Sequence, residues 1–445
     1  MKDIPICLLR KKMTTRTIAR HTINDPEDFK TRLLHWCQQF REVVFLDGNG
    51  YTQKYQEYDA VLAADAFLSL KTDHHNAFQD LRELQETTRD WLFGYLSYDL
   101  KNDVERLSSR NFDGIGFSDL FFFQPKRLFL LKGNLLEMHY LPMADDEMAS
   151  DFQAILNQST NVPHADNPLS ISQRISQKDY SKKVGRMLEY IHRGDIYEAN
   201  FCMEFYSDNA TINPLETYCR LNAISEPPFS AFFRNADNYL MSASPERYLR
   251  KQGHKIISQP IKGTARRSDD PKEDAVIKND LTHNEKERSE NIMIVDLVRN
   301  DLSKTAAKGS VRVEELCQPY SFRQVHHLIS TVVSEVIPGK SAVDVLQTTF
   351  PMGSMTGAPK ISAMNIIEEL EETKRGLYSG ALGYFTPDGN CDFNVVIRTI
   401  LYNASRQYVS FSVGSAITAA SNPIKEYEEC LLKAVAMRKV LERSF

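Results

Sequence analysis

The apolar and polar positions along the chain predict alternating strands and helices. Short apolar runs at Val43 to Leu46, Trp91 to Tyr98 and Asp119 to Phe123 have the length and composition of buried strands. Segments of helical periodicity separate these runs. The pattern therefore indicates a mixed region that continues to about Met143.

The next stretch, from Ala144 to Asn167, is acidic and then polar, with Pro163 and Pro168 at its end. Weak periodicity and prolines are typical of a surface connection. We therefore predict an N-terminal region over residues 1–145 and a C-terminal region over residues 170–445.

Sharper local signals occur in the C-terminal region. Ser176 is a predicted N-cap for a helix that ends at Gly194. A strand is predicted from Ala199 to Phe205, and a hairpin around Gly253 within Arg247 to Ser258.

Near the end of the chain, three strands follow one another at Ser379 to Phe385, Cys391 to Leu401 and Gln407 to Gly414. They predict an antiparallel meander between two helices that open at Pro359 and Pro423. Successive strands framed by helices are typical of an α+β fold rather than of a parallel doubly wound sheet.

Composition narrows the class of partner. The chain has 445 residues, 42% of them hydrophobic and 25% charged, and a net charge of -5. No long Lys/Arg run is present, so we expect no nucleic acid and no membrane surface as partner. The apolar patch from Ile4 to Leu9 is too short for a secretion signal, and seven cysteines without a CxxC pair indicate reduced thiols. A cytoplasmic protein with a small-molecule substrate is predicted.

Two carboxylate pairs stand out once the common motifs are found to be missing. No GxGxxG, GxxxxGK[ST], HExxH or GxSxG segment occurs. Glu287 and Glu290 are three residues apart, as are Glu426 and Glu429, so each pair lies on one helix face. Spacing alone favours solvated faces. A shared site for a hard cation is the functional alternative.

Eight segments in a fixed order resemble the chorismate-utilising enzymes, which include anthranilate synthase component I, aminodeoxychorismate synthase component I, isochorismate synthase and salicylate synthase. The segments are GDIYEANF from Gly194, SASPER from Ser242, QPIKGT from Gln259, KERSENIMIVDLVRND from Lys286, PMGSMTGAPK from Pro351, SGALGYF from Ser379, DFNVVIRT from Asp392 and KEYEECLLKA from Lys425. The resemblance implies a large core of two antiparallel-type sheets flanked by helices, with catalysis in the C-terminal region.

The resemblance also implies a magnesium ion. Glu290 and Glu429 match its direct ligands, and Glu287 and Glu426 match ligands that act through water. The cation would bind the ring carboxylate of chorismate and act as a Lewis acid, neutralising charge as the C4 hydroxyl leaves.

Glu246 matches the family's general acid, which protonates the departing C4 hydroxyl, although alone it would be an ordinary strand carboxylate. Lys262 would alone be a surface charge, but it matches a nucleophile that adds to C2 of chorismate before ammonia attacks C4. Anthranilate synthases carry Ala there, so Lys262 favours aminodeoxychorismate synthesis. Anthranilate synthase component I and a non-catalytic regulatory or binding subunit remain the alternatives. Because the amine must be neutral, a desolvated site is expected.

Other positions match substrate contacts of the family. His327 matches the active-site histidine, and Arg398, predicted on one strand face with Asn394 and Val396, matches a carboxylate clamp. Glu198 stands where isochorismate and salicylate synthases have a water-activating lysine, which counts against those activities. The remaining matches are Gly263, Thr264, Thr356, Gly357, Tyr378, Lys433 and the loop of Gly414, Ser415 and Ala416, whose backbone amides are expected to bind a carboxylate.

Two further expectations concern partners and regulation. The chain shows no cysteine in a glycine-rich nucleophile turn, so ammonia is expected from a separate glutamine amidotransferase subunit. Relatives bind tryptophan near an LLES-like string, and the stretch from Phe45 to Asn49 departs from it. We therefore predict weak or no inhibition by tryptophan.

Overall fold

The structure, a computed structural model, describes residues 15–51, 54–160 and 168–443. The apolar patch from Ile4 to Leu9 and the proline at Pro163 lie outside the described residues. No helix in the described part of the chain combines the length and the apolar character needed to cross a membrane.

The strands are, in chain order, β1 Thr17–Thr22, β2 Glu42–Asp47, β3 Ala60–Thr72, β4 Leu92–Leu96, β5 Leu120–Lys132, β6 Leu135–Tyr140, β7 Ser172–Gln173, β8 Glu198–Ser207, β9 Phe229–Asn235, β10 Asn238–Ser244, β11 Arg247–Gln252, β12 Lys255–Gln259, β13 Ile261–Arg266, β14 Arg312–Ser321, β15 Val325–Glu335, β16 Gly357–Ala358, β17 Ala381–Phe385, β18 Cys391–Val395, β19 Thr399–Asn403 and β20 Tyr408–Thr418.

The α-helices are α1 Pro26–Trp36, α2 Ala77–Thr88, α3 Lys101–Val104, α4 Met148–Leu156, α5 Gln177–Arg193, α6 Pro214–Ser225, α7 Pro271–His283, α8 Glu285–Ser303, α9 Ala342–Thr349, α10 Lys360–Leu370 and α11 Pro423–Glu442.

Strand pairing defines two antiparallel sheets. In the first sheet the order is β1, β6, β5, β3, β2, β9, β10, β19, β20 and β8, with β7 and β16 beside β8. In the second it is β5, β4, β17, β18, β11, β12 and β15, with β13 continuing the path of β12 along β15 and β14 on the other side of β15. The long strands β3 and β5 run from one sheet into the other.

The two sheets pack face to face and helices cover their outer faces. Phe93 of β4, Phe233 of β9 and Leu401 of β19 belong to the apolar layer between the sheets. A second cluster joins the first sheet to α1, α5, α6, α10 and α11, and a third joins the second sheet to α2, α8 and α9. The predicted α+β class, with a two-sheet antiparallel core flanked by helices, is confirmed.

Both sheets contain strands from before and after residue 145. Strand β2 pairs with β9, and β4 pairs with β17. The two regions predicted from the sequence thus share both sheets.

Several local predictions are confirmed. Ser176 accepts a hydrogen bond from the backbone of Asp179 as the N-cap of α5, and Gly194 ends this helix in a left-handed conformation. Asn422 caps α11. Val43 to Leu46 lies in β2, and the hairpin around Gly253 is formed by β11 and β12.

One local prediction is wrong. The predicted strand from Cys391 to Leu401 is split into β18 and β19, which lie in different sheets, so there is no simple meander. The break coincides with a left-handed backbone at Arg398 (φ 52°), where a straight strand cannot continue. The predicted surface connection contains the helix α4, whose Met148 and Ile155 are buried while most of its other residues are exposed.

Candidate active site

The predicted site residues come from both sheets and from two helices. Lys262 lies in β13, and Glu246 lies directly before β11 in the second sheet. Glu198 is the first residue of β8 in the first sheet. Helix α8 carries Glu287 and Glu290 and packs on β13 and β15, while α11 packs on β20.

Lys262 is surrounded by carboxylates. Its Nζ lies 3.4 Å from Glu198 Oε1. Burial disfavours the ammonium form, but Glu198, Glu290 and Glu246 outweigh burial, so the pKa of Lys262 is raised. The site is desolvated, as expected, but its carboxylates favour the ammonium form of Lys262.

Glu246 has the properties of a general acid. Its side chain is only 4% exposed. Burial raises the pKa of its carboxyl to about 7, although a hydrogen bond from Ser354 and the charge of Lys262 oppose this. The neighbouring Arg247 is paired with Asp392 at 2.9 Å, which fixes the start of β11. A proton is thus available on Glu246 near neutral pH.

The two carboxylate pairs meet in space. Burial opposes the charge of Lys286, but Glu290, Glu426, Glu287 and Glu429 together raise the pKa of this lysine. Residues from α8 and α11 therefore converge on one place, which spacing alone could not establish.

Nearby lysines balance the negative charges of these carboxylates to different degrees. Burial raises the pKa of Glu290 to about 7 despite the charges of Lys262 and Lys286, and it also raises the pKa of Glu287. Burial opposes ionisation of Glu429 too, but Lys433, whose Nζ lies 2.6 Å from Glu429 Oε1, outweighs it, so the pKa of Glu429 is lowered. Uncompensated negative charge thus concentrates on α8.

Within the described ranges, no three or more His, Cys, Asp or Glu side chains are arranged closely enough to form a metal cage. The chemistry of the cluster still suits a hard divalent cation, because magnesium takes one or two carboxylates directly and keeps its remaining positions for water and substrate.

The predicted loop of Gly414, Ser415 and Ala416 is part of strand β20, paired with β8. Lys433 Nζ donates to the carbonyl of Gly414 at 2.8 Å, and the Ser421 hydroxyl donates to that of Ala416 at 3.5 Å. In an antiparallel strand the N–H and C=O of one residue point to the same side. The amides of Gly414 and Ala416 therefore face away from β8.

Ser415 occupies the middle position of this segment. Its hydroxyl donates to the carboxylate of Glu426, a side chain that is only 4% exposed. Ser415 therefore contacts the carboxylate cluster through its side chain.

His327 and Arg398 lie on the same side of the site. Burial and the nearby charge of Arg398 lower the pKa of His327 to about 3, so its ring is neutral near pH 7. Thr264 Oγ1 lies 2.9 Å from His327 Nδ1. Burial lowers the pKa of Arg398, and Tyr378 and Glu429 oppose this effect.

Arg398 lies beside the site as predicted, but it is not on the predicted strand face. It lies at the break between β18 and β19, not on a strand face with Asn394 and Val396. Its guanidinium has no hydrogen-bond or ion-pair partner among the described side chains, although Glu429 senses its charge. A partly buried arginine in this state is available to an anionic ligand.

Other predicted contacts have structural roles in this protein. The Thr356 hydroxyl donates to the carbonyls of Met352 and Gly353 at 3.2 and 3.3 Å. Gly357 pairs with Ala199, and a Cβ at this glycine would lie 2.1 Å from the carbonyl oxygen of Glu198. Gly263 has a left-handed backbone (φ 90°) within β13. These residues shape the walls of the site through the backbone.

Sequence reasoning missed three contributors. Lys286 Nζ lies 3.8 Å from Glu290 Oε1 and interacts electrostatically with the other carboxylates, and Ser354 donates to Glu246. Asn291 Nδ2 donates to the carbonyls of Lys262 and Leu328 at 3.3 and 3.1 Å, which joins α8 to β13 and β15. A polar residue directly before the apolar run Ile292 to Val295 was the available signal for this buried asparagine.

A two-sheet fold with a buried acid, a largely buried lysine and converging carboxylates defines an enzyme site for a small molecule. A family model of chorismate binding enzymes matches residues 39–439. The chain belongs to this family, and it is a chorismate-utilising enzyme.

Relatives of two activities are similar to the chain. It is 36% identical over 358 residues to "Anthranilate synthase component 1" of Thermus thermophilus, covering 78% of this chain and 77% of that protein. It is 32% identical over 393 residues to "Aminodeoxychorismate synthase component 1" of Bacillus subtilis, covering 85% and 81%. The crystal structure of anthranilate synthase component I from Streptococcus pneumoniae has a TM-score of 0.76 at 26% identity and covers 87% of this chain and 94% of that one.

Proposed function

We propose that this protein is the chorismate-transforming component of aminodeoxychorismate synthase, which converts chorismate and ammonia into 4-amino-4-deoxychorismate. The observation that carries the proposal is Lys262, a lysine inside the same buried site as the acid Glu246. A nucleophile and an acid with separate roles are what an exchange of hydroxyl for amine requires.

In the proposed reaction, Lys262 first releases to solvent the proton that Glu198, Glu290 and Glu246 stabilise. The neutral amine then forms a bond to C2 of chorismate while the C4–O bond breaks. Glu246 gives its proton to the departing hydroxyl, which leaves as water. Ammonia then bonds to C4, the bond between C2 and Lys262 breaks, and the lysine leaves as a neutral amine. The new C4 nitrogen carries the extra proton, which can return to Glu246.

The carboxylate cluster is the proposed binding place for Mg²⁺. Glu290 and Glu429 would bind it directly, and Glu287 and Glu426 through water. When bound, the cation would act as a Lewis acid toward the substrate carboxylate. The raised pKa of Glu290 supports this role, because its charge lacks full compensation from the protein. Ser415 holds Glu426, and Lys433 holds Glu429, at fixed positions.

Arg398 and the outward amides of Gly414 and Ala416 are the proposed binding groups for the substrate carboxylates. Arg398 offers two parallel donors. His327 stays neutral and contacts the substrate ring from the side of Thr264.

The ammonia is proposed to come from a glutamine amidotransferase subunit. Free ammonium at high concentration should replace this partner. The product would then pass to an enzyme that removes pyruvate and gives 4-aminobenzoate for folate synthesis.

The first test is mass spectrometry of the products that the pure protein forms from chorismate, Mg²⁺ and ammonium, beside the Lys262→Ala variant. We expect a product with one amino group that retains the pyruvyl moiety, and a rate at least about 100-fold lower in the variant, since covalent catalysis is lost.

Anthranilate synthesis is the second candidate, because the relative from Thermus thermophilus is as similar to the chain as the relative from Bacillus subtilis. Anthranilate with free pyruvate as the product would replace the proposal with this candidate. Unchanged chorismate, with ammonium or with glutamine and the partner subunit, would instead favour a non-catalytic binding subunit.

A further inference from the structure

Glu198 has an uncommon environment for a carboxylate. Its side chain is 0% exposed, and its backbone is flanked by β16 on one side and β20 on the other. Oε1 accepts a hydrogen bond from Lys262 Nζ at 3.4 Å, whereas Oε2 has no partner among the described residues. A buried oxygen without a partner destabilises a fold, so stability does not explain a glutamate at this position.

The contact with Lys262 is specific within the site. Glu290 and Glu246 also act on the charge of this lysine, and Glu287 and Glu429 sense it in turn. In the described part of the chain, Glu198 alone forms a side-chain hydrogen bond with Lys262 Nζ. It approaches from β8 in the first sheet, while the lysine belongs to β13 in the second.

We propose that Glu198 is the positioning residue of Lys262 and aims its amine at the substrate. The inference rests on the proposed role of Lys262 as the nucleophile. A neutral amine has two N–H groups and one lone pair. When one N–H donates to Glu198 Oε1, rotation about the last bond of the side chain is restricted, and the lone pair points away from β8. The free Oε2 accepts the second N–H as the nitrogen moves during bond formation.

Two substitutions separate this role from simple packing. Glu198→Gln keeps an acceptor oxygen for Lys262 and removes the charge. Glu198→Met has a similar shape and removes both. We expect kcat to fall at least about 30-fold in the methionine variant, because loss of orientation alone can cost about 100-fold. The glutamine variant should restore most of kcat, and KM for chorismate should stay within about twofold in both variants.

Glu204→Gln is the matched control. Glu204 lies on the same strand, is buried, and pairs with Arg174 at 3.1 Å, away from Lys262. Its kcat should equal that of the wild type even if its melting temperature falls. Equal kcat in wild type and Glu198→Met, or no recovery in Glu198→Gln, would overturn the proposal.

A second measurement does not depend on turnover. The rate at which acetic anhydride labels Lys262 can be followed by peptide mass spectrometry in the protein without substrate. We expect Glu198→Gln to be labelled several-fold faster at the same pH, since the hydrogen bond and charge that hold the lysine are weakened. An unchanged labelling rate would refute the contact itself. Faster labelling in a protein that forms no aminated product would keep the contact and reject the proposed function.

Discussion

The raised pKa of Glu246 follows from its buried position. The segment SASPER places it directly before β11, where its carboxyl is enclosed between strands and the residue Ser354. Burial then makes the neutral acid stable up to about pH 7, whereas a solvated glutamate would have lost its proton near pH 4. One residue therefore links a buried position to proton donation.

The raised pKa of Glu246 predicts a loss of kcat as the pH rises above about 7. In the proposed mechanism the acid form of Glu246 is the active one, so the rate should fall roughly tenfold per pH unit above the pKa. Glu290 also titrates at about 7, but it must be ionised to bind a cation. Rates should therefore be measured at saturating Mg²⁺ and chorismate, in the complex where Lys262 is already the neutral amine of the proposed reaction and Glu246 is the group left to titrate.

The comparison for this prediction is Glu246→Gln, which has no proton to give. We expect its kcat to be about 100- to 10,000-fold lower and nearly independent of pH in this range. A wild-type profile that stays flat between about pH 6 and 9 would contradict the assignment of Glu246 as the acid.

Motifs could identify the site residues at this scale but not their charge states. The segment QPIKGT points to Lys262 as a nucleophile, and burial suggests a neutral amine. The structure adds Glu198 from β8 and Glu290 from α8. Their charges raise the pKa of Lys262, whereas burial alone would lower it. Such long-range contacts are invisible in a single sequence.

At the scale of elements, two helices bring their carboxylates together. Each pair repeats at a spacing of three residues, so each helix presents two carboxylates on one face. That much could be predicted. The meeting of the faces follows from the packing of α8 on β13 and of α11 on β20.

This arrangement predicts which substitutions weaken Mg²⁺ binding. In Glu290→Gln the affinity should fall at least about 100-fold, and in Glu287→Gln about 10-fold, as expected for a direct and an indirect ligand. Calorimetric titration of the protein without chorismate gives the affinity directly. Glu285→Gln is the control, because Glu285 is an exposed residue of the same helix.

Equal Mg²⁺ affinity in the Glu285 and Glu290 variants would show that the cation does not bind at this cluster. The carboxylates of α8 and α11 would then serve only as partners of Lys286 and Lys433.

The split between β18 and β19 shows what element prediction could not reach. The sequence from Cys391 to Leu401 is suited to one continuous strand. A single left-handed residue, Arg398, redirects the chain from the second sheet into the first. Non-glycine residues rarely adopt this conformation, so no sequence rule signals it. The same turn places the arginine beside the site.

For the whole molecule, the two sheets create a second cavity between them, away from Lys262 and Glu246. It is lined by Asp47, Gly48, Glu57, Asp59, Arg247 and Asp392, among others. Arg247 is already paired with Asp392 at 2.9 Å, and Asp47 with Lys30 at 3.0 Å. Arg250, behind the lining, pairs with Glu57 at 2.8 Å and with Asp392 at 3.0 Å. Four lining carboxylates thus face one lining cation, Arg247, which is itself paired.

This charge balance predicts that tryptophan does not inhibit the protein. The carboxylate of an amino acid would meet acidic side chains, and the Arg247 guanidinium would have to leave Asp392 to bind it, which exposes a buried charge. The side chain of Gln56 also lines the cavity and packs closely against Gly48, since its Nε2 lies 2.1 Å from where a Cβ on this glycine would be. Initial rates with chorismate should be the same with and without millimolar L-tryptophan. Thermal unfolding should agree, because a ligand that binds only the folded state raises the melting temperature. A saturable loss of rate together with a rising melting temperature would show that the cavity accepts an amino acid, with Arg247 released from Asp392 as its partner.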